Sequence, residues 1–211
     1  MGIDRYGWPG QVKSRELAYI VLVYPMKKDS MYVQEYRNGS NGTSGMDTAI
    51  ITTSLNVLDI NILQPYYRDR FAFSCEGLVQ VRGFAAWQVY LVQKPDVHDG
   101  VRSWTTNRKS YDFPIKGHIW ISSLDFSIVR VETDLREPVK DLQLTRDHLV
   151  VDYGPVDFAS HSKQLWFPWS ADMFTEFHGL RYHDKHSLTN YLLFAIDTSQ
   201  RVSNPPEETP H

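Results

Sequence analysis

The sequence predicts a mainly β protein built on one antiparallel sheet of about nine strands. Three observations carry that expectation. Aromatic residues make up 13% of the chain and β-branched residues are frequent, which favours strands over helices. Short apolar runs and two-residue alternations recur along most of the length, as half-buried strands require. The links between them are short and turn-like, whereas a parallel crossover needs a dozen or more residues, so neighbouring strands pair antiparallel.

Residues 1–16 read as an N-terminal extension with a Gly/Pro-rich opening, Tyr6-Gly7-Trp8-Pro9-Gly10. Strands are expected from Leu17 to Tyr24 and from Met31 to Arg37, with Asn38-Gly39 and Asn41-Gly42 as turn signals after them. Those asparagines also head glycosylation acceptor triplets, but the turn reading is the better one. From Asp47 to Leu63, Ile51, Leu55, Leu58 and Ile62 share a helical face, while β-branched Ile50 to Thr53 favours a strand. Taken as a helix, this segment would cover one face of the sheet. Strands from Phe71 to Arg82 and from Phe84 to Gln93 flank Gly83, and a loop follows from Asp99 to Lys116. Five more strands are expected: Gly117 to Ser123, Ile128 to Leu135, Leu142 to Tyr153, Leu165 to Phe177 and Ser187 to Asp197. Residues 17–200 then form a single domain, and the Pro- and Glu-rich residues 201–211 a disordered tail.

Composition narrows the class. The 211 residues are 42% hydrophobic and 22% charged, which fits a folded globular chain. A balance of 22 Lys+Arg against 25 Asp+Glu, net charge −3, argues against a generic nucleic-acid or anionic-membrane binder, since both need basic surface. One cysteine, Cys75, can make neither an internal disulfide nor a Cys-rich zinc site. The apolar run Leu17 to Tyr24 is far shorter than the ~20 residues of a membrane-spanning helix, so no transmembrane segment is expected. Lys13 and Arg15 precede that run, but no small-residue cleavage site follows before Lys27 and Lys28, so it reads as a strand and not as a secretory leader. Two readings stay open: a cytoplasmic protein, or a chain whose true N-terminus lies upstream.

Two strands carry the most information. In Ile128 to Leu135, Val129, Val131, Thr133 and Leu135 point to one face while Arg130, Glu132 and Asp134 point to the other, so one face is buried and one wet. Leu165 to Phe177 has apolar groups on both faces, with Phe167, Trp169, Ala171, Met173, Thr175 and Phe177 in one row. Such a strand is covered on both sides, or meets a helix, or lines a cavity for an apolar guest.

Catalytic signatures are scarce. There is no nucleophile elbow, no glycine-rich phosphate loop, no H-E-x-x-H and no C-x-x-C, which weighs against an enzyme. His178, His183, Asp184 and His186 could supply nitrogen and oxygen ligands to zinc or copper, but a polar hairpin loop is the favoured reading and no metal or cofactor is expected. His148 and Asp152 share a strand face at ~13 Å, too far for a direct couple. Cys75 shares a face with Phe71 and Phe73 and reads as an inert small hydrophobe. The tryptophans of the strands, Trp87, Trp120, Trp166 and Trp169, are read first as core, and otherwise as a ligand surface, either an apolar groove or a flat platform for sugars.

The second half contains an ordered succession: Lys116-Gly117-His118-Ile119-Trp120-Ile121, the R-x-E strand around Arg130 and Glu132, Asp152-Tyr153-Gly154-Pro155-Val156-Asp157-Phe158, and Leu165-Trp166-Phe167-Pro168. Upstream stand Glu35-Tyr36-Arg37, Arg70-Phe71-Ala72-Phe73 after Pro65, and Trp87-Gln88-Val89. In this order they resemble bacterial envelope proteins of the lipoprotein-carrier (LolA-like) superfamily, of an uncharacterised subgroup. The resemblance implies a curved antiparallel half-barrel, closed by at most one or two helices and holding lipid or acyl chains. It also implies a periplasmic or envelope location, and no catalytic residue. Gly117, Arg130, Glu132 and Pro168 would be structural, with Pro168 at an edge or a bulge.

The expected function is therefore non-enzymatic binding of a lipid or a lipoprotein acyl chain in an apolar groove. Its candidate lining is Phe71, Phe73, Trp87, Val89, Trp120, Phe167, Trp169 and Met173. On that reading Trp169→Asp abolishes acyl binding. The alternative is a structural or protein-interaction module of an envelope assembly, without a small-molecule ligand. A metal-dependent enzyme based on His178, His183 and His186 comes third.

Overall fold

Alternation at every second residue makes a strand with one face to hide, and a row of such strands hides it only by pairing side by side. The computed structural model describes residues 2–3, 10, 14, 16–25, 31–39, 62–95, 101–106, 109–158 and 164–193. The strands are β1 (Gly2–Ile3), β2 (Leu17–Pro25), β3 (Met31–Gly39), β4 (Phe71–Val81), β5 (Phe84–Gln93), β6 (Arg102–Thr106), β7 (Lys109–Phe113), β8 (Ile115–Ser122), β9 (Ile128–Leu135), β10 (Leu144–Val156), β11 (Leu165–Phe177) and β12 (Leu180–Ser187). A single helical turn, α1 (Pro65–Arg68), begins on a proline, which suits a first helical position where no N–H partner is needed.

Eight strands form one antiparallel sheet in the order β1-β12-β11-β10-β9-β8-β5-β4, while β2–β3 and β6–β7 are separate ribbons. The sheet is curved and does not close into a barrel. Strands β5 and β11 stand four places apart, ~19 Å in a flat sheet, yet the rings of Phe84 and Trp166 meet edge-on at 5.0 Å. Arg82, in the β4–β5 turn, likewise reaches Asp152 of β10 at 2.7 Å.

The buried face carries Leu91, Ile119, Val131, Leu149, Val151, Ala171 and Met173, and Ile62 and Phe113 are part of the same core. The alternation read in Ile128 to Leu135 is present, with Val129, Val131, Thr133 and Leu135 all buried. Gly117 sits in this packing for a steric reason: a Cβ there would land on the main-chain carbonyl of Glu132 in β9. Charge enters the core as a pair, where Arg102 of β6 meets the buried carboxylate of Asp147 and also donates to Thr133 Oγ1 at 3.3 Å.

Several expectations are corrected. The Asp99 to Lys116 segment is not a loop, because it contains the β6–β7 hairpin, in which Arg102 pairs with Phe113 and Thr106 with Lys109. Among the described residues the last strand is β12: residues 188–193 of the expected Ser187 to Asp197 strand are irregular, 194–197 lie outside the described residues, and Leu180 to His186 of the stretch read as a loop belong to β12. The real turn is only His178-Gly179, both left-handed at φ 51 and 72. Asn38 and Gly39 are still paired within β3, opposite Ala18 and Leu17. Residues 47–61 of the expected helix and the tail 201–211 lie outside the described residues, while Ile62 and Leu63 occupy a short 3-10 turn. No helix among the described residues is long and apolar enough to cross a membrane.

Candidate functional site

Strands β4 and β5 extend the core face to β4, which among the described residues is the edge of the sheet. Their register pairs Phe71 with Gln93, Phe73 with Leu91 and Cys75 with Val89, then, after a bulge at Glu76, Leu78 with Trp87. These side chains share the face of Ile119 and Ile121 on β8, the next strand. The inner members Phe71 and Leu91 are buried, but toward the edge Phe73, Leu78 and Trp87 are 37%, 56% and 41% exposed. The strip contains no acidic or basic side chain. An apolar face that leaves its cover before it ends is a place for an apolar guest.

The eight predicted lining residues do not meet in one groove. Phe71, Phe73, Trp87 and Val89 belong to the strip, and Met173 is sealed in the core on the same side of the sheet. Trp120 lies on the opposite face, where its indole donates to Gln88 Oε1 at 3.0 Å and Arg130 stacks 6.0 Å from its ring. Trp169 covers Gly154, where any Cβ would strike the indole, and the Arg82 guanidinium lies 6.0 Å from its ring centroid. The row expected from Phe167 to Phe177 fails at Trp169: Ser170 pairs with Asp152 but Pro168 with Tyr153, so Trp169 is the extra residue of a bulge that changes which face follows. Phe167 packs instead against Phe158 and Tyr191, each at 5.5 Å between ring centroids. Pro168 stands beside this bulge, beyond the last β11–β12 pair at Ser170 and Ser187. Sequence reasoning missed Leu78, whose alternation with Phe73 is broken by the bulge.

The solvent-facing side of the sheet is polar and aromatic. Register places Asp134 of β9 opposite His148 of β10, and His148 opposite Phe174 of β11, which in turn faces His183 of β12. His148 Nδ1 is hydrogen-bonded to Asp134 Oδ1 at 2.9 Å, and its Nε2 lies 4.0 Å from Glu132 Oε1. The hydrogen bond to Asp134 raises the His148 pKa above its ordinary value, and the same bond lowers that of Asp134. His183 stacks on Phe174 at 4.1 Å and bonds Asp172 Oδ1 at 3.0 Å. On the other side, His118 lies opposite Glu132 and reaches Glu76 Oε2 at 3.2 Å, between the rings of Tyr90 and Trp120. Asp152 accepts from Arg130 Nε at 2.7 Å as well as from Arg82.

The histidines singled out by sequence are dispersed. His178 is in the turn and contacts Gln143 Oε1 at 3.0 Å, His183 faces solvent with Phe174, and His186 pairs with core-facing Ala171. Among the described residues, the group that does converge is Glu132, Asp134 and His148, with one donor atom from each within 4.8 Å of the others. Its signal was the R-x-E-x-D alternation of β9, but its partner on β10 is fixed by register. Comparison with protein-family models, curated proteins and solved structures finds no match to this chain.

Proposed function

We propose that this protein is a non-enzymatic binding protein for an apolar chain, a lipid or a lipoprotein acyl group, held along the β4–β5 strip. The observation that carries the reading is the exposure of Phe73, Leu78 and Trp87 on a charge-free continuation of the core face. The absence of charge there favours an acyl chain over a charged ligand. Burial drives the binding: hiding roughly 200 Å² of apolar surface at ~25 cal/mol per Å² gives about 5 kcal/mol before the losses of association, which suits a ligand that must be released. An envelope setting rests on the sequence resemblance alone.

Titration with palmitate by calorimetry tests this. Wild type should bind with saturation, and Leu78→Asp and Phe73→Asp should each lose binding while keeping the circular dichroism of wild type. Equal binding in all three proteins would remove the strip as the site. A second reading is favoured by one further observation: β4 has a sheet neighbour on one side only among the described residues. Such an edge accepts an added strand, so a protein partner contributing an apolar strand is the alternative if palmitate does not bind.

A further inference from the structure

We propose that Glu132, Asp134 and His148 form a binding site for a divalent transition-metal ion of the zinc class, on the face of the sheet opposite the apolar strip. The placement is dictated by strand geometry. Glu132 and Asp134 are two residues apart on β9 and therefore share a face, and His148 is the direct cross-strand partner of Asp134. Two residues of one strand plus one across the ladder bring three side chains to a single point without any loop.

The donor set and distances fit. One nitrogen and two carboxylates are suitable ligands for zinc, and the imidazole selects against calcium and magnesium, which take oxygen donors. Donors at ~2.1 Å from a tetrahedral ion stand about 3.4 Å apart, and the three donor atoms already lie within 4.8 Å of one another. Binding replaces the proton between His148 Nδ1 and Asp134 Oδ1 by the ion, and that proton leaves to solvent. The site is half-buried and backed by the Phe174 ring, 5.9 Å from the imidazole, which limits its rotation. Near the site stand the cations Lys116, paired with Asp134, Arg146, over Phe174 at 5.8 Å, and Arg130, two residues before Glu132 on the same face and itself held by Asp152. Three protein donors leave at least one coordination position for water.

The test is calorimetric titration of the full chain with zinc chloride, with metal-free protein prepared by chelation. Wild type should bind one equivalent. His148→Gln should weaken binding about a hundredfold and Asp134→Asn at least about tenfold, while His178→Gln and His186→Gln should bind as wild type. Absence of saturable binding, binding unaffected by His148→Gln, or binding lost instead in His178→Gln or His186→Gln would overturn the proposal. A readout on the wild type guards against a folding defect in the variants: the His148 ring resonances should shift with the first equivalent of zinc, and shifts confined to other histidines would equally overturn it.

Discussion

The two faces of the sheet are made from the same strands and obey opposite rules. On one, Ile119, Val131, Leu149, Val151 and Ala171 exclude water, and the buried charges of Arg102 and Asp147 are paired with each other. On the other, His118, Glu132, Asp134, His148, Asp172 and His183 stand in cross-strand rows with aromatic rings between them. The difference teaches that stability and binding chemistry are separated by a single residue of register. Substitutions on the first face are predicted to act on folding, and those on the second on ligands. The β4–β5 strip breaks the rule, because it belongs to the folding face and yet meets solvent.

The comparison can be broken most forcefully at its buried charge. Arg102→Met leaves the Asp147 carboxylate buried without its cation and is expected to cost about 3–5 kcal/mol in denaturant unfolding. The double variant Arg102→Met with Asp147→Leu should recover most of that loss, and a neutral single variant would mean that the pair is hydrated. Next comes Gly117→Ala, whose methyl group meets the Glu132 carbonyl; an expected loss of about 1–3 kcal/mol is readable as a lower melting temperature.

Tyr191 sharpens the boundary where the sheet bends. It donates to the Pro168 carbonyl and its burial pushes the phenol up to about 12, from an ordinary 10.0. A pKa raised by folding adds stability that is complete below pH 10 and is lost as pH rises toward about 12. Burial raises Tyr182 as well, so ultraviolet titration should find late phenolates of which the one near pH 12 is missing in Tyr191→Phe. The smallest effect on folding is expected from Trp87→Asp, within about 0.5 kcal/mol because the side chain is already exposed, although it should abolish palmitate binding.

The antiparallel sheet was legible because β4, β5 and β11 announce themselves by aromatic and apolar content and β9 by an alternation that separates its two faces residue by residue. Strands β6, β7 and β12 were not, because Ser, Thr, Lys and His fill them and such residues look like loop. The candidate lining was legible only in part. Period-two counting carries a face correctly along an unbroken strand, as from Phe71 to Phe73, but a bulge adds one residue and reverses the count, at Glu76 and again at Trp169. The Glu132–Asp134–His148 group depends on the β9–β10 register, which no local pattern in either strand specifies.

The central claim, that the apolar strip holds an acyl chain, is tested most directly by native mass spectrometry of protein purified without detergent, with solvent extraction of whatever accompanies it. The account predicts adducts of several hundred daltons that extract as lipid from the wild type and are absent from Trp87→Asp. An unliganded mass for the wild type, unchanged after incubation with palmitate and phospholipids, would contradict it.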